Sequence, residues 1–162
     1  FTYNVQTSAG NASARAVAFV NTEPVRVVYL SAPSPRDTPG PANEVWTHDF
    51  LNARRVAVLD QGQEVNYRNR PPAIQAAANA PLTPTFAYVA SGNNVRDRLF
   101  VGRLDLTDAP VALPLPAGTN VGSFAVSPNG LFIAVVTCTT TAAAALCTGA
   151  SAFNLYVFTA AN

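Results

Sequence analysis

Short apolar runs separated by turn-forming residues restrict this chain to β-rich folds. In residues 123–138 the run "SFAV" meets Ser127-Pro128-Asn129-Gly130, and a second run, "LFIAVVTC", follows at once. Proline and glycine permit a tight reversal of the chain and asparagine tolerates a positive φ angle, so the tetrapeptide predicts a β-hairpin. Both flanking runs are apolar without alternation, which is typical of strands that are covered on both faces.

The same pattern of short runs continues along the rest of the chain. Further runs rich in β-branched and aromatic residues are "FTYNVQT", "ARAVAFV", "VRVVYLSA", "EVWTHDF", "RRVAVLD", "TFAYVAS", "DRLFVGRLD", "PVALPLP" and "FNLYVFTA". No segment shows ten or more residues of helical periodicity, although "AIQAAANA" is compatible with one or two helical turns. We therefore predict one all-β domain of about a dozen short antiparallel strands.

The strands fall into an N-terminal strand region, residues 1–20, and three related segments, residues 25–65, 83–118 and 119–162. Each segment contains an apolar run, a turn or insertion, and a strand that carries an aromatic residue. The aromatic residues that recur at equivalent places are expected to lie in the core. They are Tyr88, Phe100, Phe124, Phe132, Tyr156 and Phe158.

The third segment resembles a blade of the TolB-type β-propellers. The matching residues are Ser127 to Gly130, Leu131 to Thr137 and Leu155 to Phe158, with looser matches at Leu99 to Val101 and Val45 to Thr47. The resemblance implies short antiparallel strands in about three propeller-like four-stranded sheets, whereas a closed ring typically needs four to eight. A β-sandwich built from the same strands is the alternative architecture.

The third segment stops after its third strand, which leaves one sheet edge without a partner. Strand addition to an open edge is a known way to join subunits, and it hides an edge that otherwise aggregates. We predict that the N-terminal strand adds to such an edge, either within the chain or on a neighbouring copy. Its residues are Phe1, Thr2, Tyr3, Asn4 and Val5.

Several features predict a secreted, extracellular or cell-surface protein. The chain begins at Phe1 and contains no methionine, which is expected after removal of a signal peptide. Cys138 and Cys147 stand between two strand-like runs, and a disulfide between them would stabilise the fold by about 2–3 kcal/mol in the chain-entropy model. Two free thiols are the alternative. The sequon at Asn11 is a possible glycosylation site.

Composition argues against two classes of partner. Charged residues make up 12% of the chain, about half of the usual share, and the net charge is +1. The ten basic residues are all arginine and are scattered, whereas a nucleic-acid-binding protein normally has a clustered basic face. No apolar stretch reaches the roughly 18 residues that a membrane span needs.

The sequence offers no convincing catalytic or metal site, and no cofactor is expected. Alternation along the strand directs His48 and Asp49 to opposite faces, which is poor geometry for a catalytic pair. Asp105 and Asp108 are too few ligands for a calcium site. The cluster of Tyr67, Arg68 and Arg70 is a weak candidate for a patch that binds a carboxylate, a phosphate or a sugar.

These patterns predict a non-enzymatic structural subunit, such as a filament or surface-layer protein, whose copies join by strand pairing. The alternative is a fragment of a TolB-like propeller that binds a protein or glycan partner and is completed by another propeller segment. A third and weaker option is the propeller part of a secreted hydrolase. The sequence alone does not name a ligand.

Overall fold

A computed structural model of the 162-residue chain shows only β-strands as regular elements in the part that it describes. All strand pairings there are antiparallel, so the all-β prediction is confirmed. The described residues are 3–7, 10–20, 26–31, 44–48, 53–58, 63–65, 74–77, 85–92, 95–103, 109–141, 147–148 and 151–160.

The first sheet is a five-stranded meander in which each strand pairs with the next along the chain. Its strands are β1 (Tyr3–Thr7), β2 (Gly10–Val20), β3 (Arg26–Ser31), β4 (Glu44–His48) and β5 (Ala53–Val58). Val28, Val45 and Thr47 are buried, and the register of β3 against β4 places all three on one face. This face is the packed side of the sheet, as β-branched residues at alternate positions favour.

The second sheet is built around one long strand. Its strands are β6 (Gln63–Val65), β7 (Ile74–Ala76), β8 (Thr85–Gly92), β9 (Val95–Arg103) and β10 (Val111–Ala112). On one side β8 pairs with β9, which in turn pairs with β10. On the other side two short strands share the length of β8, with β7 near its start and β6 near its end.

Residues 74–76 form the strand β7, so a helical turn at that position is wrong. A helix must fix several residues before its first hydrogen bond forms, and so short a segment gains little from helical propensity. Pairing with β8 instead buries Ile74, and Ala77 is also buried where its backbone N–H donates to Thr85 O at 2.8 Å. Tertiary pairing therefore overrides the local alanine-rich composition.

The third sheet contains the hairpin that the Ser-Pro-Asn-Gly tetrapeptide predicts. Its strands are β11 (Thr119–Val126), β12 (Phe132–Thr139) and β13 (Phe153–Thr159), paired in that order. The N–H of Gly130 donates to Ser127 O at 2.9 Å, and Gly130 carries the positive φ of 73°. The carboxamide oxygen of Asn129 accepts hydrogen bonds from the Ser127 hydroxyl and from the N–H of Leu131, which fixes the turn.

The sheets group the strands differently from the three sequence segments. Among the described residues they have five, five and three strands rather than four each. The N-terminal strand β1 pairs with β2 in the first sheet, so it does not complete the third sheet within the chain. Residues 119–162 do contain one whole sheet, whereas β6 lies in the first segment of the sequence and pairs with β8 of the second.

The second and third sheets pack face to face over an apolar core. The buried members of this core are Ala87, Val89, Leu99, Val121, Phe124, Ile133 and Val135. Polar side chains also link the sheets. The Thr85 hydroxyl donates to Gly130 O at 3.0 Å, and the Arg96 guanidinium donates to the hydroxyl and the carbonyl of Thr140 at 2.9 and 3.0 Å. The turn between β11 and β12 is thus held against the start of β8.

On the other face of the second sheet, the ring of Phe86 fills the space above Gly102. The two residues are directly opposite each other on β8 and β9, and Phe86 is buried. A Cβ atom added at Gly102 would lie 2.6 and 2.7 Å from two ring atoms of Phe86. The ring of Tyr88 stacks between those of Phe86 and Phe100, with centroid distances of 6.3 and 5.4 Å, so Phe86 has little freedom to move aside.

Replacing Gly102 by alanine is expected to lower the free energy of unfolding by about 1–3 kcal/mol, because the new methyl group overpacks a filled aromatic site. Urea denaturation followed by fluorescence measures this loss. Ser123→Ala, an exposed change on β11, is the control and should alter stability by less than about 0.5 kcal/mol. Equal stability of the Gly102→Ala variant and the wild type would show that the Phe86 ring relaxes without cost.

Candidate association surface

One face of the third sheet is covered and the other is exposed. Side chains of directly paired residues point to the same face, and successive residues alternate. Phe124, Ile133 and Val135 lie on the inner face, which packs against the second sheet. The opposite face, here called the outer face, carries four large apolar side chains that remain exposed. They are Phe132, Phe153, Leu155 and Val157, with exposed fractions of 46%, 49%, 66% and 64%.

The outer face has no charge to keep it solvated. None of the strands β11, β12 and β13 contains Asp, Glu, Lys or Arg. The four large side chains leave on the order of 400 Å² of apolar surface in contact with water, and patches of this size on a monomer are often functional. Ala125 and Ser123 on β11 extend the uncharged surface.

The disulfide between Cys138 and Cys147 borders the outer face. Cys138 pairs with Phe153 across β12 and β13, and its sulfur is bonded to that of Cys147. A Cβ atom added at Gly122 would lie 3.5 Å from the Cys147 sulfur, so Cys147 packs closely over this glycine of β11. The bond therefore pins the chain after β12 against one end of the sheet, and it is compatible with an extracellular location.

The free edge of β13 adjoins the outer face. In the part of the chain that the structure describes, β13 pairs with β12 on one side and with nothing on the other. The N–H of Ala160 donates to Leu131 O at 2.8 Å, which sets the hydrogen-bonding phase of this ladder. Because the phase alternates along an antiparallel strand, the backbone groups of Phe153, Leu155, Val157 and Thr159 point away from β12.

The opposite edge of the third sheet is closed by a side chain. The carboxamide of Gln75, on β7, donates to Phe124 O at 3.1 Å and accepts from the N–H of Val126 at 2.9 Å. These are the outward-pointing backbone groups of β11, so one glutamine side chain takes the place of a neighbouring strand. Nothing in the spacing of the sequence indicates this contact, since its partners are about fifty residues apart.

The first sheet presents a polar group on the face opposite Val45 and Thr47. The indole N–H of Trp46 donates to Glu44 at 2.9 Å, and Arg55 forms an ion pair with the same carboxylate at 3.0 Å. The Arg55 side chain is 54% exposed, so this pair is worth little to stability. Its polar character distinguishes this surface from the outer face of the third sheet.

The residues predicted from the sequence are placed as follows. Cys138 and Cys147 are joined as proposed. Asn11 lies in β2, Tyr3, Asn4 and Val5 lie in β1, and His48 ends β4, but the side chains of these five residues are outside the described part. Phe1, Thr2, Asp49, Tyr67, Arg68, Arg70, Asp105 and Asp108 also lie outside the described residues.

The prediction of an aromatic core is correct for Tyr88 and Phe124, which are 1% and 6% exposed, and wrong for Phe132. Phe100, Tyr156 and Phe158 are half-buried.

Burial raises the pKa of the Tyr88 phenol well above its usual value, so the group stays neutral within the aromatic stack. Sequence reasoning missed the outer face because an unalternating apolar run predicts cover on both sides of the sheet, and the described part of the chain covers only one.

No other kind of site emerges among the described residues. They contain no group of three or more His, Cys, Asp or Glu side chains that could hold a metal ion. They also contain no helix long and apolar enough to span a membrane. Comparisons of the chain with protein-family models, with curated proteins and with solved structures find no match. The outer face and the free edge of β13 are therefore the features on which a functional argument rests.

Proposed function

We propose that this chain is a secreted, non-enzymatic structural module that associates with further copies of itself through the third sheet. The observation that carries the proposal is the outer face, where Phe132, Phe153, Leu155 and Val157 stand exposed on a sheet without a charged residue. A sheet with one face in water normally alternates apolar and polar residues. Here both faces are apolar, as in a sheet that is covered on both sides.

The outer face alone is too small to form a stable specific interface. If two copies stack their outer faces, they bury on the order of 800 Å² in total, which is below the 1,200–2,000 Å² of a stable specific interface. The outer face therefore supports a weak contact, and a lasting assembly needs additional pairing at a strand edge.

Replacing Phe132 by lysine is expected to weaken self-association, because it places a charge on the outer face without changing β13. The matched control is Val111→Lys on β10, since Val111 is 70% exposed but belongs to the second sheet. Sedimentation and electron microscopy of the two variants and the wild type measure the effect. Assembly that survives Phe132→Lys and is lost in Val111→Lys would contradict the proposal, as would a wild type that stays monomeric at high concentration.

A propeller completed by other polypeptide is the second candidate function, and the arrangement of the sheets favours it. The three sheets follow one another along the chain, and the second lies between the others, with β2 beside β7 and β11 beside β9 and β8. In a propeller the outer face of the third sheet would be covered by the next blade. Native mass separates the two functions, because a small closed oligomer indicates a ring and an open-ended polymer indicates a filament.

A further inference from the structure

We infer that β13 pairs with β13 of a second copy, antiparallel and about a two-fold axis at Tyr156, so that two third sheets join into one continuous sheet. This inference rests on the proposed self-association and names the surface and the register that would carry it. The site is the free edge of β13, and the occupant is a second copy of this chain.

Three other sheet edges in the described part carry a device that blocks strand addition. β5 carries Arg54 and Arg55 and is bulged against β4. β10 is only two residues long and lies between Pro110 and Pro114. The β11 edge is capped by the carboxamide of Gln75. Charges, bulges, prolines and short length are the usual means by which proteins protect an edge from pairing.

The β13 edge has none of these devices. Its sequence, "FNLYVFT", contains no charge, no proline and no glycine, and it combines aromatic and β-branched residues. Segments of this length and composition are those that pair most readily with copies of themselves. The ladder with β12 has no bulge, so the outward groups form a regular row. An edge of this kind is a template for another strand.

The direction of the backbone groups and the length of β13 together favour one register. Phe153, Leu155, Val157 and Thr159 point their N–H and C=O groups outward, whereas the residues between them bond to β12. A symmetric antiparallel pair centred on Tyr156 sets Phe153 opposite Thr159 and Leu155 opposite Val157 of the other copy. All outward residues then face outward residues, and each such pair exchanges two hydrogen bonds. Moving the centre by one residue still sets outward residues opposite outward residues, but it leaves Thr159 or Phe153 without a partner in β13 of the other copy. The register centred on Tyr156 therefore makes the most hydrogen bonds.

The side chains agree with this register. Leu155 meets Val157 of the second copy on the outer face, which is an aliphatic pair of the kind that stabilises sheets. On the inner face Tyr156 meets its own equivalent at a closely spaced, non-hydrogen-bonded position, where ring contact is favourable. Pairing with β1 fits less well, because β1 has five residues and leaves part of the β13 edge open. Strand pairing at this edge also supplies the additional contact that a lasting assembly needs beyond the outer face.

A single-cysteine variant tests the register directly. Both native cysteines are bonded to each other, so Tyr156→Cys introduces the one free thiol of the chain. Two copies paired as inferred bring these thiols together, and we expect a covalent dimer on mild oxidation. Asn154→Cys is the matched control, because Asn154 would face Phe158 of the second copy and should not cross-link. Cross-linking of Asn154→Cys in preference to Tyr156→Cys would overturn the register.

A proline variant tests the edge itself. The N–H of Val157 points outward, so Val157→Pro should remove an interchain donor and leave the ladder with β12 intact. We expect the dissociation constant of the dimer to rise about tenfold or more, with an unchanged far-ultraviolet circular dichroism spectrum. Val157→Thr keeps the N–H and the branched shape, so its dissociation constant should rise far less than that of Val157→Pro.

The outcomes separate this inference from the proposed function. If Phe132→Lys weakens assembly while Tyr156→Cys fails to cross-link and Val157→Pro has no effect, the edge pairing is wrong and association through the outer face stands. If instead deletion of residues 1–8 abolishes assembly and Tyr156→Cys fails to cross-link, the N-terminal strand is the occupant of the edge. A monomeric wild type at all concentrations would overturn both ideas.

Discussion

Replacing Phe124 by alanine is expected to lower the free energy of unfolding by about 3–5 kcal/mol, which is a large part of the total stability of an ordinary domain. Phe124 is 6% exposed and lies in the apolar core between the second and third sheets. Truncation removes a buried ring and leaves a cavity that two rigid sheets cannot close, since their spacing is also set by the contacts at Thr85 and Arg96.

Phe132→Ala is the matched control for this prediction. It is the same change in the same sheet, but Phe132 is 46% exposed on the outer face. Its expected loss in the isolated chain is about 1 kcal/mol or less. Guanidinium denaturation of both variants at a protein concentration that keeps the chain dispersed gives the comparison. Equal losses at the two positions would mean that the outer face is already covered in solution, or that the inner core is looser than the structure shows.

Local chemistry accounts for the part of the fold that the sequence predicts. The hairpin between β11 and β12 needs a residue with positive φ, and Gly130 provides it within four residues of chain. The disulfide follows in the same way, because Cys138 and Cys147 are only nine residues apart. The all-β class follows from short apolar runs that lack the helical period. Each of these features is decided by neighbours in the sequence.

The other features of the fold depend on pairing between strands that are distant in sequence, and sequence patterns give little indication of that pairing. β6 and β7 are each three residues long, and they form strands because each pairs with β8. Three-residue strands have no period to detect, and a choice between two sheet edges depends on packing that composition does not report.

The outer face illustrates the limit of pattern reasoning in another way. The apolar runs of the third sheet predict that both of its faces are covered. They do not say whether the cover comes from the same chain. The structure answers for the inner face, where Ile133 and Val135 meet the second sheet, and leaves Leu155 and Val157 exposed.

Replacing Gln75 by methionine is expected to cost about 2–4 kcal/mol of unfolding free energy, because it leaves two backbone groups of β11 without their partner. Methionine has a similar length, so packing changes little while the N–H of Val126 and the carbonyl of Phe124 lose the carboxamide. We also expect the uncapped β11 edge to increase aggregation, since it becomes a second open template. Thermal unfolding combined with light scattering measures both effects.

Gln75→Glu separates hydrogen bonding from packing at the same position. A carboxylate still accepts from Val126, but it sets a negative oxygen against the carbonyl of Phe124, so its folded-state pKa should be raised above the usual value near 4.3. The unfolded chain then loses its proton at a lower pH than the folded chain. Stability of this variant should therefore rise as the pH falls from 7 toward 4, when the protonated group can donate to Phe124 as the amide does. A Gln75→Met variant as stable as the wild type, together with a Gln75→Glu variant whose stability does not change with pH, would show that the β11 edge does not depend on this side chain.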